Sequence, residues 1–341
     1  MIARLLRKLP EVVPNYNRDS LAAYFGVPSA LLTQQGSSGP LVFHQGGAIL
    51  PIARALRGTI FWPFDRSVVR GLQHILPTSD HTLEAAAMHN DAAMIALVRD
   101  GEAVVETKEP GITVRLYAGN GRAHFATHNT HDGRDWLVGA GIDNVRELGI
   151  DVGSQARRIC DSSYKKAYRL ANLGYTLVFA LLLPERDTFV AADKPDLVLT
   201  DVIDPDYEFV DRLEKERIAE DHGLTVVAQH GVMTGIANAS AYFGRMRALE
   251  LTAVQDDGPG YIVKGHTSGG ERLSARAEPP QSRAWNQLFT EGELKAVRDG
   301  VVQDFDGIYL SDAFLEELML DYLGSHRRSV RWQVADWLSN R

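Results

Sequence analysis

The 341-residue chain contains one cysteine, Cys160. An intrachain disulfide is therefore excluded, and so is a cysteine-rich metal site. Such sparing cysteine usage fits a reducing compartment. Long apolar runs are also missing. The stretch YTLVFALLLP (175–184) is far shorter than the ~20 residues that cross a bilayer, so no membrane association is expected. Positive charge is in deficit, 36 Lys and Arg against 44 Asp and Glu, a net charge of −8. That balance argues against a protein that coats nucleic acid indiscriminately, while leaving room for a local basic groove. No internal repeat or low-complexity tract is evident. What is present is ordinary globular material: 45% hydrophobic and 23% charged residues, enough for one large domain or two modest ones. The expected location is the cytoplasm or a viral particle, not the secreted space.

The opening MIARLLRKLPEVV is basic and amphipathic. It reads as a surface helix cut short by Pro10 and Glu11, with a targeting presequence as the alternative. The first ninety residues otherwise look irregular, with loop material at QQGSSGP (34–40) and HQGG (44–47), a strand at GTIFWPF (58–64) and a short helix or ordered connection at 80–93. Two hairpins are then predicted. MIALVRDGEAVVET (94–107) turns at Asp100-Gly101, and ITVRLYAGNGRAHFAT (112–127) turns around Gly119-Asn120-Gly121. Apolar spacing of three and four predicts a helix over 154–173, stopped by Asn172 and Gly174. A buried strand, a turn and another strand follow over 175–192, then a strand over 196–203. Helices are expected near 205–221 and 231–248, and two more strands over 260–277. Beyond EPPQS (278–282) the pattern becomes helical. The expected class is α+β: a main domain over residues 1–283 and a C-terminal helical region over 284–341.

Several residues invite a chemical reading. Lys108 ends an alternating apolar run just before a Pro-Gly turn. It is either a nucleophile in a pocket or a solvated charge at a strand end. His124 and His128 fall on one strand face, followed by His131 and Asp132, but no clean ligand spacing emerges and no metal is assigned. Lys165, Lys166 and Arg169, with Arg157 and Arg158, form a basic stripe that either meets phosphates or is a solvated helix face. SHRRSVRW (325–332), near Trp332 and Trp337, either stacks on single-stranded RNA or packs helices. HTSGGERLS lacks the Lys-Ser/Thr ending of a phosphate loop and reads as a hairpin turn.

The order of segments resembles the RNA ligases of the phage T4 RNA ligase 1 type, within the covalent nucleotidyltransferase superfamily. LRGTIF (56–61) looks like the upstream Arg-Gly and strand, and TKEPGITVRLY (107–117) like the K-x-D-G segment. AHFATHNT (123–130) resembles the strand after it. GYTLVFALLLPERDTFV (174–190) looks like the strand that usually ends in Phe-Glu. GPGYIVKG (258–265) resembles the Glu-Gly-Tyr-Val strand, and ERLSARA (271–277) falls where the K-x-K strand belongs. Together these cover residues 50–280. The resemblance implies an antiparallel adenylation-domain fold, Lys108 as the residue that takes AMP from ATP, and Arg57, Glu109, Lys264 and Arg276 as nucleotide or phosphate contacts.

The departures fall on the chemistry. Pro110 replaces the Asp of K-x-D-G, Ala180 and Pro259 stand where the family has glutamates, and Ser274 and Arg276 stand where it has lysines. Lysine attack needs a neutral amine, and a leaving pyrophosphate needs a cation held by oxygen ligands. Ala180 and Pro259 supply no such ligand, and Ser274 supplies no charge. Losses at four motifs imply that the standard mechanism is gone. A rewired site would draw on Asp256, Asp257 or Glu185; Glu109, although adjacent to Lys108, is expected on the opposite side of an extended chain. The leading expectation is a ligase-like protein without ligase catalysis that binds nucleotide or RNA, or serves as an interaction module with protein partners or copies of itself. The alternatives are an active ATP-dependent RNA ligase adenylated on Lys108, requiring ATP and Mg²⁺, and a structural component of a viral or other assembly.

Overall fold

A computed structural model describes residues 2–37, 39–44, 51–72, 75–79, 85–127, 130–133, 151–183, 194–256, 258–267 and 271–279, with isolated positions between 295 and 338. Helix α1 (Ile2–Val12) leads into α2 (Arg18–Phe25), strands β1 (Leu32–Gln34) and β2 (Leu41–Phe43), and helix α3 (Pro51–Leu56). Next come β3 (Ile60–Phe61), β4 (Val68–Val69), β5 (Leu76–Pro77), α4 (Ala85–Asp100), β6 (Glu102–Thr107), β7 (Ile112–Gly119) and β8 (Arg122–Ala126). The chain continues through α5 (Val152–Ser163), α6 (Ala167–Asn172), β9 (Thr176–Leu182), β10 (Asp196–Ile203), α7 (Arg212–His222), β11 (Gln229–Thr234), α8 (Ala239–Gln255), β12 (Tyr261–His266) and β13 (Arg272–Ala277).

The strands form a small sheet, β1-β2-β3-β4, and two larger ones, β10-β9-β7-β8 and β11-β6-β12-β13-β5. All pairings in the larger sheets are antiparallel except β13 with β5. The α+β class therefore holds.

Alternation along β7 and β9 divides the second sheet into two faces. Val114, Leu116, Leu177, Phe179 and Leu181 pack into a core with Ala156 and Ile159 of α5 and Leu170 of α6. Thr113, Val178 and Ala180 point the other way, into a cleft. On the third sheet, Val105, Val263 and Ala275 pack against Met94 and Val98 of α4 and Met246 of α8. Lys264, Ser274 and Arg276, out of phase with Val263 and Ala275, line the same cleft. One helical layer outside each sheet leaves the inner faces opposed.

Several expectations are met. β7 and β8 form a hairpin in register Arg115 to Ala126, turning through Asn120 (φ 49°) and Gly121 (φ 70°). Two positive φ values in a two-residue loop match the right-handed twist of the strands. The strand over 196–203 and the β12–β13 hairpin form as expected. The helix near 154–173 is present in two pieces broken at Tyr164.

Others are corrected. Residues 94–100 are not a strand but the end of α4, which closes at Asp100. Ala, Met and Leu favour helix, and Met94 and Val98, four apart, both reach the core. Residues 229–234 are a strand paired with β6, not the start of a helix. α1 continues through Pro10 to Val12 and buries Ile2, Leu6 and Leu9, so one face belongs to the core. The expected boundary near 283, the second strand of 175–192 and the basic cluster at 325–332 lie outside the described residues. Among the described residues, no helix is long and apolar enough to cross a membrane.

Candidate functional site

A cleft of about 230 Å³ opens between the inner faces of the two large sheets. Its apolar wall includes Leu72, Val178, Ala180, Phe209, Val227 and Ile262, and its polar wall includes Lys108, Glu109, Asp201, Lys264, Arg272 and Arg276. Apolar surface beside a few convergent charges is the usual composition of a ligand site.

Lys108 enters the cleft because β6 ends one residue earlier. Its backbone N–H donates to the Gly260 carbonyl at 3.0 Å, fixing it at the mouth of β12. Its Nζ donates to Glu278 Oε1 at 2.5 Å. Glu278 follows β13 directly, and its side chain is only 3% exposed. The other carboxylate oxygen faces Arg276 Nε at 3.4 Å. That Nε is buried and makes no hydrogen bond among the described residues. One acid therefore stands between two cations.

Deeper in the cleft an ion network links the sheets. Asp201 of β10 accepts from Arg272 Nη2 at 3.0 Å and from Lys264 Nζ at 3.1 Å. Lys264 also pairs with Glu106 of β6 at 2.7 Å. Glu106 in turn accepts from Lys215 Nζ at 2.5 Å and Arg212 Nη1 at 2.8 Å, both on α7. Burial opposes the charge on Asp201, yet Arg272, Lys264 and Lys215 outweigh it and hold its carboxyl well below the usual range. Glu106 is likewise buried and lowered by Lys264 and Lys215. Lys215 pays for its burial with a pKa lowered to about 8, the neighbouring Lys264 acting in the same direction. Arg272 also lies over the Phe209 ring, 4.3 Å from its centroid.

The structure thus brings together Lys108, Glu109, Ala180, Lys264, Ser274 and Arg276 on one cleft. Glu109 is a correction: it faces the cleft with Lys108, not the opposite side. The Pro110-Gly111 turn ends strand geometry after Thr107, so alternation no longer applies. Burial pushes the Glu109 carboxyl up. Arg57, Pro110 and Pro259 are not among the lining residues. Arg57 follows α3, and its guanidinium is lowered by burial.

The remaining candidates fall elsewhere. His124 stacks on Tyr117 and its Nε2 lies 3.0 Å from the Gly119 carbonyl oxygen, while His128 is outside the described residues. Arg157, Arg158, Lys165, Lys166 and Arg169 are exposed on α5, α6 and the turn between them, across the second sheet from the cleft. Asp256 accepts from the Tyr261 hydroxyl at 3.3 Å, and Asp257 and Glu185 are outside the described residues. Glu106, Asp201, Lys215, Arg272 and Glu278 were missed by sequence reasoning. In a strand such as EAVVET a buried glutamate looks like any solvent-facing one until its partners on α7 are in place.

The sequence matches no protein-family model and no curated protein. Solved structures are more informative. An archaeal ATP-dependent RNA ligase (form 2) superposes over 96% of this chain and 79% of its own, with a TM-score of 0.51 and 15% identity. The chain shares the overall fold of that ligase. A putative ATP-dependent DNA ligase from Aquifex aeolicus aligns over 97% of this chain and 76% of its own, with a TM-score of 0.47 and 15% identity.

This ligase fold raises the question of a divalent metal. Among the described residues, no three His, Cys, Asp or Glu side chains converge to hold one. Asp201 in the cleft and Glu106 behind it are each already ion-paired with Lys or Arg side chains. The described side chains do not fit a resident metal cluster.

Proposed function

We propose that this RNA ligase-like protein binds a nucleotide or an RNA 5′-phosphate in the intersheet cleft without transferring AMP to Lys108 by the family's usual route. The observation that carries this reading is the make-up of the cleft. Four cations line it, Lys108, Lys264, Arg272 and Arg276, against the carboxyls of Glu109 and Asp201. Burial moves Glu109 toward its neutral form. An anion is favoured there. At the same time Ala180 and Ser274 occupy lining positions where the resemblance to T4 RNA ligase 1-type enzymes calls for a glutamate and a lysine. Phosphoryl transfer rests on positioning and charge stabilisation, and these positions supply less of both.

A second reading is a divergent active ligase. Glu278 Oε1 lies 2.5 Å from Lys108 Nζ, close enough to accept its proton. In that case the Nζ–P bond forms as the bond to pyrophosphate breaks, and the Lys108 proton passes to Glu278.

Incubation with α-labelled ATP and magnesium or manganese, followed by a denaturing gel, separates the two. The expected result is no retained label in the wild type, together with saturable ATP binding by calorimetry. Label that survives denaturation and vanishes in Lys108→Ala would replace the first reading with the second.

A further inference from the structure

Glu278 is more than a neighbour of Lys108. Its carboxylate lies between Lys108 Nζ, at 2.5 Å, and Arg276 Nε, at 3.4 Å. Two cations facing one buried anion is the arrangement that would hold a phosphate. Among the described residues Arg276 Nε is buried without a hydrogen bond, its ion pair to the carboxylate being long at 3.4 Å. The cleft is also small. Its 230 Å³ falls below the ~300 Å³ at which small-molecule sites begin.

Backbone geometry explains how the acid is placed. Gly260 adopts φ +120°, and a Cβ there would lie 2.5 Å from the Ala277 carbonyl oxygen and 3.2 Å from Glu278 Cα. The same glycine accepts the Lys108 N–H. The absent side chain lets the segment after β13 close onto the Lys108 backbone, bringing Glu278 within reach of Nζ.

We propose that Glu278 is an internal occupant of the anion seat formed by Lys108 and Arg276, and that a phosphate-bearing ligand binds by displacing it. This rests on the cleft being a nucleotide or phosphate site, and adds its regulation: the resting protein is self-occupied. Ligand phosphate and the Glu278 carboxylate compete for the same two cations, so apparent affinity is scaled by the fraction of molecules in which the acid has swung away. Displacement also frees Lys108 and Arg276, both of which line the cleft, to turn toward the ligand.

Inorganic pyrophosphate and AMP, titrated calorimetrically into the full chain, test this. Glu278→Gln removes the competing charge, and Glu278→Asp withdraws it by one methylene. Both are expected to bind pyrophosphate about tenfold more tightly than wild type, as for a seat open roughly a tenth of the time. Adding Arg276→Gln should abolish the gain. If wild type and both variants bind equally, the self-occupancy is wrong and the binding cleft stands. If none binds while all remain folded, both fall. A crystal of the wild type soaked in pyrophosphate gives a check that needs no variant. Anion on Lys108 and Arg276 with Glu278 swung away supports displacement, whereas anion bound with the Lys108–Glu278 pair intact, or no anion in the cleft, overturns it.

Discussion

Lys108 and Glu278, 170 residues apart in sequence, meet at 2.5 Å where the ends of β6 and β13 flank the start of β12. The pair joins the residue most suggestive of ligase chemistry to one that no motif announced. It places a proton acceptor on the ammonium and, in the proposal above, a carboxylate where a ligand phosphate would sit. Those two consequences point to opposite functions, so the energetics of the pair are worth measuring directly.

A double-mutant cycle does so. Lys108→Met leaves the Glu278 carboxylate, 3% exposed, with Arg276 alone. An uncompensated buried charge is costly, so a loss of about 2 kcal/mol is expected for Lys108→Met in chemical denaturation. Adding Glu278→Gln should restore about half of it, because the stranded charge is gone. Strict additivity of the two single changes would mean that the pair contributes nothing.

Gly260→Ala tests the backbone that positions the pair. The new Cβ would meet the Ala277 carbonyl oxygen at 2.5 Å and force an L side chain to φ +120°. A loss of about 2–4 kcal/mol is expected in urea denaturation. The shift must also move Glu278 relative to Lys108, so pyrophosphate affinity should change with it. A variant as stable as wild type would show that the β12 mouth is not held as tightly as the contacts require.

How much of this was legible beforehand depended on range. Local signals carried well. Asn120-Gly121 specified its hairpin, and the run 196–203 became β10 residue for residue. The 94–100 segment failed because MIALV is apolar enough for either period, and only packing of Met94 and Val98 against the third sheet chose helix. The 229–234 segment failed because an edge strand with few buried residues carries almost no alternation. The site divided the same way. Lys108, Lys264, Ser274 and Arg276, singled out through the order of family-like strands, all line the cleft. Glu278 and Glu106 acquire meaning from Lys108 and Lys215, each more than a hundred residues away, and no short-range pattern encodes such a meeting.

Nucleotide binding without a resident metal cluster has a thermal signature. ATP present at 100 times its Kd should add about 2.7 kcal/mol to the stability of the folded state. On the proposed reading the rise in Tm should be the same in excess EDTA as in magnesium, because Lys108, Lys264, Arg272 and Arg276 line the cleft and meet the phosphates directly. A rise that needs magnesium would mean that metal and nucleotide bind as one unit, and would favour the active-ligase reading.

The ion network on the cleft floor should govern acid stability. Asp201 and Glu106 are both held below their ordinary values of 3.8 and 4.5, each against the opposing effect of burial. A carboxyl whose pKa is lower folded than unfolded binds more protons when unfolded. Its contribution to stability is therefore complete above the unfolded pKa and is lost as pH falls through the folded one. Stability should fall steadily below about pH 4.5, because the unfolded chain binds protons at these two groups that the folded protein excludes. Asp201→Asn keeps the shape but leaves Arg272 and Lys264 short of a counter-charge in a nearly dry site. A cost of about 3–5 kcal/mol at neutral pH is expected, with a shallower decline in acid because one of the titrating groups has gone. Urea denaturation midpoints of the two proteins from pH 7 to pH 3 give the comparison. Parallel curves would show that folding does not lower the Asp201 carboxyl and that the acid limb belongs to other carboxylates.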